Sequence, residues 1–253
     1  MANNIKYFIG NWKMFGIPKS ISILDKINKF INLDKKFNNK YKVIITPPHT
    51  LVQSYAKFFE KKKISIGAQN CFHKDNFGAN TGAISSLMIK SVGVKYIIVG
   101  HSDNRSEGDT DEMLKNKVKN SLKNKLKVVF CIGENKQDKL KNKTFEVLEN
   151  QIKNVLEENF NFKDIIVAYE PIWSIGTGQI PESDDLLKTT IFIKKILKNI
   201  FKNQKSPIVL YGGSVDGKNI SQFKNLNDID GFLIGGASKS DQNFIDIIKN
   251  YYR

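Results

Sequence analysis

The chain has 253 residues, of which 40% are hydrophobic and 26% charged, values ordinary for a globular protein of one or two domains. This composition excludes collagen-like, coiled-coil, disordered and disulfide-scaffold chains, and no apolar run approaches the ~20 residues that span a bilayer. The formal net charge is +15, and only Arg105 and Arg253 among the 40 basic residues are arginine.

Short runs rich in β-branched and aromatic residues recur along the whole chain and predict eight β-strands. Most of these runs are continuously apolar, as is typical of strands buried on both faces of a parallel sheet. In chain order, the predicted strands are Ile5–Asn11, Lys42–Thr46, Ile64–Gln69, Lys95–Gly100, Lys127–Gly133, Ile165–Glu170, Pro207–Tyr211 and Gly231–Gly235.

Longer segments with helical periodicity separate the strands. The clearest of them are Ser20–Ile31, Thr144–Phe160 and Asp184–Phe201. For the last helix, Ser183 is the predicted N-cap, and two aspartates follow it in the first turn, where the helix dipole favours negative charge.

The alternation of strands and helices predicts a parallel sheet covered by helices. Eight repeats in about 250 residues fit a closed (β/α)8 barrel of the α/β class better than an open sheet. An open dinucleotide-binding sheet normally has a G-x-G-x-x-G loop after its first strand, whereas this chain has Gly10-Asn11-Trp12-Lys13 there. Because no linker rich in Gly, Ser or Pro interrupts the pattern, we expect a single domain over residues 1–253.

In a barrel of this kind, active-site residues follow the C-terminal ends of the strands. Taken singly, each such residue has an ordinary explanation: a solvated lysine, a glutamate at a helix N-terminus, a structural histidine or a glycine in a tight turn. Together they come from five strands and converge on one mouth of the barrel, which favours a functional site. The candidates are Asn11 and Lys13 after the first strand, His101, Ser102 and Asp103 after the fourth, Glu170 at the end of the sixth, Ser214 after the seventh, and Gly235 and Gly236 after the eighth.

The residue types at this mouth indicate a chemistry. The glycine-rich loops after the last two strands, together with Gly176-Thr177-Gly178, offer backbone N–H groups that can hold a phosphate. A carboxylate, an imidazole and an ammonium group facing that phosphate suit proton abstraction beside a carbonyl. A Ser-His-Asp triad is not expected, because the side chains of the adjacent residues His101, Ser102 and Asp103 should diverge. A metal site is not expected either, since the three histidines lie on separate segments and no C-x-x-C pair occurs.

A series of longer motifs also spans nearly the whole chain. These are Gly10-Asn11-Trp12-Lys13-Met14, Gly67-Ala68-Gln69-Asn70, Gly100-His101-Ser102, Cys131-Ile132-Gly133-Glu134, Ala168-Tyr169-Glu170-Pro171-Ile172-Trp173, Ile175-Gly176-Thr177-Gly178, Tyr211-Gly212-Gly213-Ser214 and Gly235-Gly236-Ala237-Ser238. In type and order, they resemble the motifs of the triosephosphate isomerase family.

The resemblance implies an isomerase of glycolysis and gluconeogenesis that interconverts D-glyceraldehyde 3-phosphate and dihydroxyacetone phosphate through an enediolate, without a cofactor or metal. It implies that Glu170 is the base and that neutral His101 polarises the carbonyl. It further implies that Lys13 and Asn11 bind the substrate and that Pro171–Gln179 forms a lid, which protects the intermediate from water and from phosphate loss. The remaining residues assigned by the resemblance are Ser102 and Asp103 as supports, and Gly176, Ser214, Gly235 and Gly236 as phosphate ligands.

The resemblance also implies a homodimer in which the loop Asn70–Ile84, with Thr81 at its tip, enters the pocket of a neighbouring subunit. Two departures from the family concern this interface: Ala83 stands where an acidic residue is usual, and Asn104 stands where an arginine is usual. Losing an acid and a base together suggests a missing ion pair near the interface. The nearby segment 106–109 is also one residue shorter than usual.

Three further departures lie closer to the predicted chemistry. Asp103 replaces the usual glutamate and is one methylene shorter, which affects its reach toward the lysine or the neighbouring loop. In the lid, Ser174 replaces a common alanine and Gln179 a common lysine. None of these changes removes the base, the electrophile or the phosphate donors, so we expect the activity to be retained.

Two other functions stay open at this point: a barrel that acts on another small phosphorylated sugar, and a basic barrel that binds nucleic acid. The scarcity of arginine and the lack of an aromatic–basic stacking motif argue against nucleic acid. The lysines are interpreted as residues of solvated surfaces, and attraction of an anionic substrate is the functional alternative.

We expect no membrane segment, no secretion signal in Met1–Trp12 and free thiols at Cys71 and Cys131, all typical of a cytoplasmic protein.

Overall fold

Eight parallel strands close into a barrel in sequence order, with the first strand hydrogen-bonded to the last. The computed structural model describes residues 5–74, 76–202 and 206–253. The strands are β1 (Lys6–Asn11), β2 (Tyr41–Thr46), β3 (Ile64–Ala68), β4 (Tyr96–Val99), β5 (Lys127–Ile132), β6 (Ile165–Tyr169), β7 (Ile208–Tyr211) and β8 (Gly231–Ile234). This architecture confirms the predicted α/β class and the (β/α)8 barrel.

Helices connect the strands on the outside of the barrel. Those in the described ranges are α1 (Ile21–Leu33), α2 (His49–Phe59), α3 (Ser86–Ser91), α4 (Ser102–Ser106), α5 (Asp111–Lys123), α6 (Lys136–Leu140), α7 (Thr144–Val155), α8 (Ser183–Phe201) and α9 (Asp241–Tyr252). Within these ranges, no helix is long and apolar enough to cross a membrane.

The strands are mostly apolar because both of their faces are largely buried. Along β5, Val129 and Cys131 point into the barrel interior, whereas Val128, Phe130 and Ile132 pack into the larger apolar layer between the strands and the helices. Successive side chains of a strand alternate between its two faces, so a strand with an apolar layer on each side has few polar positions. The long apolar runs in the sequence therefore follow from the burial of the strands on both faces of the barrel.

All three predicted helices differ from the structure at an end. Helix α1 covers Ile21–Leu33 and not Ser20–Ile31. Ser183 is the first residue of α8 and not its N-cap; Glu182 is the N-cap, because its backbone is still extended (ψ 143°) and its carbonyl accepts the N–H of Leu186 at 3.0 Å. Helix α7 ends at Val155 and not at Phe160, because Leu156 turns to an extended conformation (ψ 131°) and is buried there.

Two lysines are buried with acidic or carbonyl partners near the N-terminal ends of the strands. Lys6 on β1 donates a hydrogen bond to the carbonyl of Ile229. On α8, Nζ of Lys194 lies 3.1 Å from Oδ2 of Asp230 and 3.5 Å from Oδ1 of Asp228. The same Oδ2 of Asp230 accepts the N–H of Val209 at 2.9 Å, so this ion pair ties α8 to the start of β7 and β8.

Candidate active site

The C-terminal ends of the strands surround a cavity of about 390 Å³. Most of the predicted site residues line it, and they come from five different strand ends as expected. The predicted residues that line the cavity are Asn11, Lys13, His101, Glu170, Gly176, Ser214, Gly235 and Gly236. Asp103 lines a second cavity, which adjoins the first and shares Asn11, Lys13 and His101 with it. Ser102 opens α4 and lies outside both linings.

Glu170 follows β6 directly, and its side chain is 4% exposed. Its Oε1 lies 3.5 Å from Nε2 of His101, and its Oε2 has no hydrogen-bond partner among the described residues. Burial raises the pKa of this carboxyl, and the nearby His101 and Lys13 counteract that effect only in part. A carboxylate that is desolvated and has an unpaired oxygen facing a cavity is a stronger base than an ordinary glutamate.

Two glycines make room for Glu170. A Cβ on Gly212 would lie 2.5 Å from Cγ of Glu170, and a Cβ on Gly133 would lie 1.8 Å from its carbonyl oxygen. Neither distance is possible for a real side chain. The end of β6 can therefore sit this close to its neighbouring strand ends only because both positions lack a side chain.

His101 is the N-cap of α4, and this position determines its tautomer. Its Nδ1 accepts the backbone N–H of Asp103 at 3.1 Å. Because an accepting nitrogen carries no proton, the neutral ring has its hydrogen on Nε2, the nitrogen that faces Glu170 and the cavity. A neutral imidazole that donates from Nε2 can polarise a carbonyl oxygen placed there.

Lys13 has a left-handed backbone (φ 53°), a conformation that costs free energy for a residue with a side chain. Three contacts hold it: its N–H donates to Oδ1 of Asn11 at 3.1 Å, its carbonyl accepts from Nε2 of Gln69 at 2.9 Å, and its Nζ lies 3.1 Å from Oδ2 of Asp103. The shorter Asp103 thus does reach the lysine. Strain of this kind is typical of a side chain that must point at a particular place.

The prediction that the side chains of His101 and Asp103 diverge is wrong. Oδ2 of Asp103 lies 3.5 Å from Nδ1 of His101. The helix begins at Ser102, so Asp103 occupies its first turn and the carboxylate folds back toward the N-cap. The arrangement is still not a nucleophilic triad, because the third side chain in reach of the histidine is a carboxylate, that of Glu170.

The predicted lid, Pro171–Gln179, covers one side of the cavity. It starts with a 3₁₀ turn over Ile172–Ser174, and Gly176 and Gly178 both have positive φ (69° and 77°). The lid contacts the loop after β7: Oγ of Ser214 donates to the carbonyl of Ser174 at 2.7 Å and accepts the N–H of Gly178 at 3.1 Å. Ser214, predicted as a phosphate ligand, therefore also anchors the lid.

Several residues of this site had no predicted role. Gln69, at the end of the third predicted strand, donates to the carbonyls of Lys13 and Thr46, and the strand-end rule could have found it.

Cys131 is buried beside Glu170; burial and then that carboxylate raise the pKa of its thiol well above the usual range, so it stays neutral. Both cysteines are free, as predicted. Among the described residues, no group of three or more His, Cys, Asp or Glu side chains could hold a metal ion.

The loop predicted to enter a partner, Asn70–Ile84, includes Asp75, which lies outside the described residues. Its predicted tip Thr81 is exposed. Ala83 and Asn104, the two positions expected to lack an ion pair, line one cavity of about 460 Å³. In the short segment after α4, both oxygens of Asp109 bind Nζ of Lys117 at 2.6 Å.

Known proteins resemble this chain in both sequence and structure. A family model described as "Triosephosphate isomerase" matches residues 6–251. The chain is 37% identical over 250 residues to the triosephosphate isomerase of Dictyoglomus thermophilum, which covers 97% of this chain and 99% of that protein. It is 36% identical over 248 residues to the triosephosphate isomerase of Neurospora crassa, covering 96% and 97% of the two chains. The crystal structure of triosephosphate isomerase from Bartonella henselae matches with a TM-score of 0.88 and 30% identity, over 98% of this chain and 99% of that one.

Proposed function

The chain belongs to the triosephosphate isomerase family, and on that premise we propose that Glu170, His101 and Lys13 carry out its reaction. It is an isomerase that interconverts D-glyceraldehyde 3-phosphate and dihydroxyacetone phosphate, a step of glycolysis and gluconeogenesis. The reaction moves one hydrogen between neighbouring carbons and needs a base, a group that stabilises the oxygens, and a holder for the phosphate. The chain offers each of these as a side chain or a backbone group.

Glu170 removes the proton from the carbon beside the carbonyl and returns it to the neighbouring carbon. The main support for this assignment is the buried Oε2 of Glu170. It has no hydrogen-bond partner among the described residues, and it belongs to a carboxylate that lines the cavity. Because burial raises the pKa of Glu170, the carboxylate takes up a proton more readily than a solvated one would. Proton transfer by a positioned base of this kind typically accelerates a reaction ~100-fold to 10,000-fold.

His101 and Lys13 stabilise the oxygens of the enediolate that forms when the proton leaves. The neutral ring of His101 donates from Nε2, and the same nitrogen passes a proton between the two oxygens of the intermediate. Nζ of Lys13 supplies a positive charge at the same mouth of the barrel, and Asn11 and Gln69 hold the lysine backbone in its strained conformation. Because Glu170 and His101 are almost fully buried, these interactions act in a low-dielectric site and are stronger than in water.

The phosphate binds between the lid and the last two strand ends, on backbone groups of Gly176, Gly235 and Gly236 and on Ser214. A Cβ at Gly176 or Gly236 would meet no atom within 4 Å, so both positions border open space in the cavity. Backbone N–H groups in such turns attract anions. The lid over this end excludes water from the intermediate. These steps use protein groups alone.

We infer a homodimer in which the loop Asn70–Ile84 of one subunit lies beside Asn11 and Lys13 of the other. Support comes from a cavity of about 280 Å³ beside these two residues, which adjoins the substrate cavity, and from the exposed Thr81 at the loop tip. The free buried cysteines support a cytoplasmic location. Lysines spread over a chain with only two arginines support a solvated surface rather than a nucleic-acid interface.

The experiment that tests the assignment is isomerase turnover by the purified protein on glyceraldehyde 3-phosphate, with Glu170→Gln as the matched variant. Activity in the wild type that is lost in the variant supports both the reaction and its base. Equal activity in the two proteins would reject Glu170 as the base. A panel of other phosphorylated sugars, assayed in parallel, determines whether the triose is the preferred substrate.

A further inference from the structure

The hydroxyl of Ser174 lies within the lid, at the end of its 3₁₀ turn and at a position where the family usually has alanine. The residue is completely buried. Its Oγ donates to the carbonyl of Gln179 at 2.5 Å, lies 3.0 Å from the hydroxyl of Tyr211, and accepts the N–H of Ser214 at 3.4 Å. A serine hydroxyl has one proton to donate and two lone pairs to accept with, so these three contacts use its whole capacity.

These contacts join two positions of the lid to each other and to the end of β7. Ser174 and Gln179 are five residues apart, at the two ends of the segment that contains Gly176 and Gly178. Tyr211 is the last residue of β7; it is 1% exposed and packs on the ring of Phe223. The bridge therefore connects the lid to a buried residue of the barrel.

The loop after β7 is shaped to allow this bridge. A Cβ on Gly213 would lie 2.2 Å from the hydroxyl oxygen of Tyr211 and 2.6 Å from Oγ of Ser174. Any side chain at this position would push the two hydroxyls apart. Gly213 thus leaves the space in which they meet, which is a second observation independent of the hydrogen bonds themselves.

We propose that Ser174 is a positioning residue that latches the lid closed over the reacting intermediate. This inference builds on the proposed function, because it concerns the lid of the same site. When the lid opens, the Ser174 hydroxyl must separate from the Tyr211 hydroxyl and from the Ser214 N–H, and each group must find a new partner. An alanine at this position would remove the shared atom and leave three polar groups of the closed lid without this partner, namely the Gln179 carbonyl, the Tyr211 hydroxyl and the Ser214 N–H, so the open state would gain population.

The latch has a chemical consequence. If the lid opens while the enediolate is bound, the C–O bond to the phosphate can break as the electron pair of the enediolate forms a carbon–carbon double bond. Inorganic phosphate leaves, and the remaining enol becomes methylglyoxal by moving one proton from oxygen to carbon. No oxidant or reductant is involved. The ratio of phosphate released to triose isomerised therefore measures how well the lid stays closed.

The test uses the two tryptophans of the chain, one in the lid (Trp173) and one fully buried in the core (Trp12). With 5-fluorotryptophan in the full-length protein, ¹⁹F NMR follows the opening of the lid at Trp173, while Trp12 serves as an internal reference. The probe ligand is 2-phosphoglycolate, a phosphorylated carboxylate that mimics the charge of the enediolate. The variants are Ser174→Ala, Tyr211→Phe and their combination, with Ser54→Ala, an exposed serine on α2, as the matched control.

We expect Ser174→Ala to raise the open-to-closed ratio about threefold to tenfold, the range for loss of one hydrogen bond, and to raise the phosphate-to-isomer ratio in parallel. Tyr211→Phe should act in the same direction, and the double variant should be no worse than the worse single variant, because both remove one shared contact. Ser54→Ala should change neither ratio. The proposal is wrong if Ser174→Ala leaves the open-to-closed ratio within the error of the control. It is also wrong if the effects of Ser174→Ala and Tyr211→Phe on this ratio simply add in the double variant. The NMR result does not need turnover, so it separates this outcome from a failure of the proposed function, which would show as an inactive wild-type protein.

Discussion

Glu170 and His101 face each other across the mouth of the barrel, with 3.5 Å between Oε1 of the glutamate and Nε2 of the histidine and both side chains buried. They come from strand ends 69 positions apart in the chain, β6 and β4, and each is held by its own local structure: two glycines around Glu170, and a helix N-terminus against His101. The proposed base and the proposed proton donor are therefore positioned before any substrate arrives. Such preorganisation is what allows a site to act without a large rearrangement at the reacting atoms.

Shortening the base by one methylene tests its position. Glu170→Asp should keep the charge and the fold but withdraw the carboxylate from the substrate carbon, and we expect kcat to fall by at least 100-fold. Steady-state kinetics of the purified variant measure this, with circular dichroism to show that the barrel is intact. A loss of less than tenfold would mean that another group removes the proton.

The pH dependence of the reaction should report the environment of Glu170. Burial raises the pKa of this carboxyl, and the base is active only when deprotonated, so kcat/KM should decline on the acid side at a pH above the usual value of about 4.3 for glutamate. Lys13 lowers the pKa of Glu170 and so counteracts the effect of burial. In Lys13→Met, the decline of the remaining kcat/KM on the acid side should therefore move to still higher pH. A limb at or below pH 4.3 in the wild type would contradict the desolvated carboxylate.

Gly212 should be essential for placing the base. In Gly212→Ala, the new methyl group would lie 2.5 Å from Cγ of Glu170, and the glutamate must shift to avoid it. Because a displacement of about 1 Å can reduce a rate ~100-fold, we expect kcat to fall by that order. Gly217→Ala is the matched control: its nearest neighbour would be Cβ of Asp246 at 3.1 Å, on the helix α9. Equal kinetics of the two variants would show that Glu170 tolerates the crowding.

The strands could be predicted from the sequence because a strand with an apolar layer on each face gives a continuous apolar run. The ends of helices were harder to predict. In the predicted helix Thr144–Phe160, apolar residues continue at helical spacing beyond Val155, although the backbone already turns at Leu156. Among the candidate site residues, those within two positions of a strand end, such as Glu170 and Lys13, could be found from the barrel rule alone.

What the sequence could not reveal are contacts between distant segments. The close approach of Gly212 to Glu170, and the hydrogen bonds of Gln69 to the Lys13 backbone, depend on how neighbouring strands are placed in the closed barrel. The contact between His101 and Asp103 was missed for a local reason. A helix that begins at Ser102 bends the chain sharply, and sequence adjacency alone does not show that bend.

The ion pair of Lys194 should stabilise the N-terminal side of the barrel. Lys194 is 8% exposed, and Asp230, its partner at 3.1 Å, also accepts the N–H of Val209. In Lys194→Met, the aspartate keeps its buried charge without the cation, a change that typically costs about 3 kcal/mol, or about 6 to 12 °C in Tm for a chain of this size. Thermal unfolding measures this. Lys188→Met, an exposed lysine of the same helix, should leave Tm unchanged.

A double variant distinguishes a lost ion pair from a lost side chain. Adding Asp230→Asn to Lys194→Met removes the orphaned charge, so the double variant should be more stable than Lys194→Met alone. If the two substitutions instead lower Tm additively, the ion pair contributes nothing beyond packing.

The proposed dimer can be tested at Phe77, which lies in the loop Asn70–Ile84 and is 79% exposed in the single chain. Single exposed apolar side chains are common, so Phe77 is chosen for its place in the loop that is proposed to enter the partner and not for its exposure alone. Met14, beside the Lys13 that the partner loop is proposed to approach, is 99% exposed as well. Phe77→Glu would place a charge where the two subunits meet, and we expect sedimentation to show a shift from the mass of two chains toward one at micromolar concentration. Leu140→Glu, at an equally exposed apolar residue on α6, should leave the dimer intact. If both variants sediment as the wild type does, or if the wild type is itself monomeric, this loop does not form the interface.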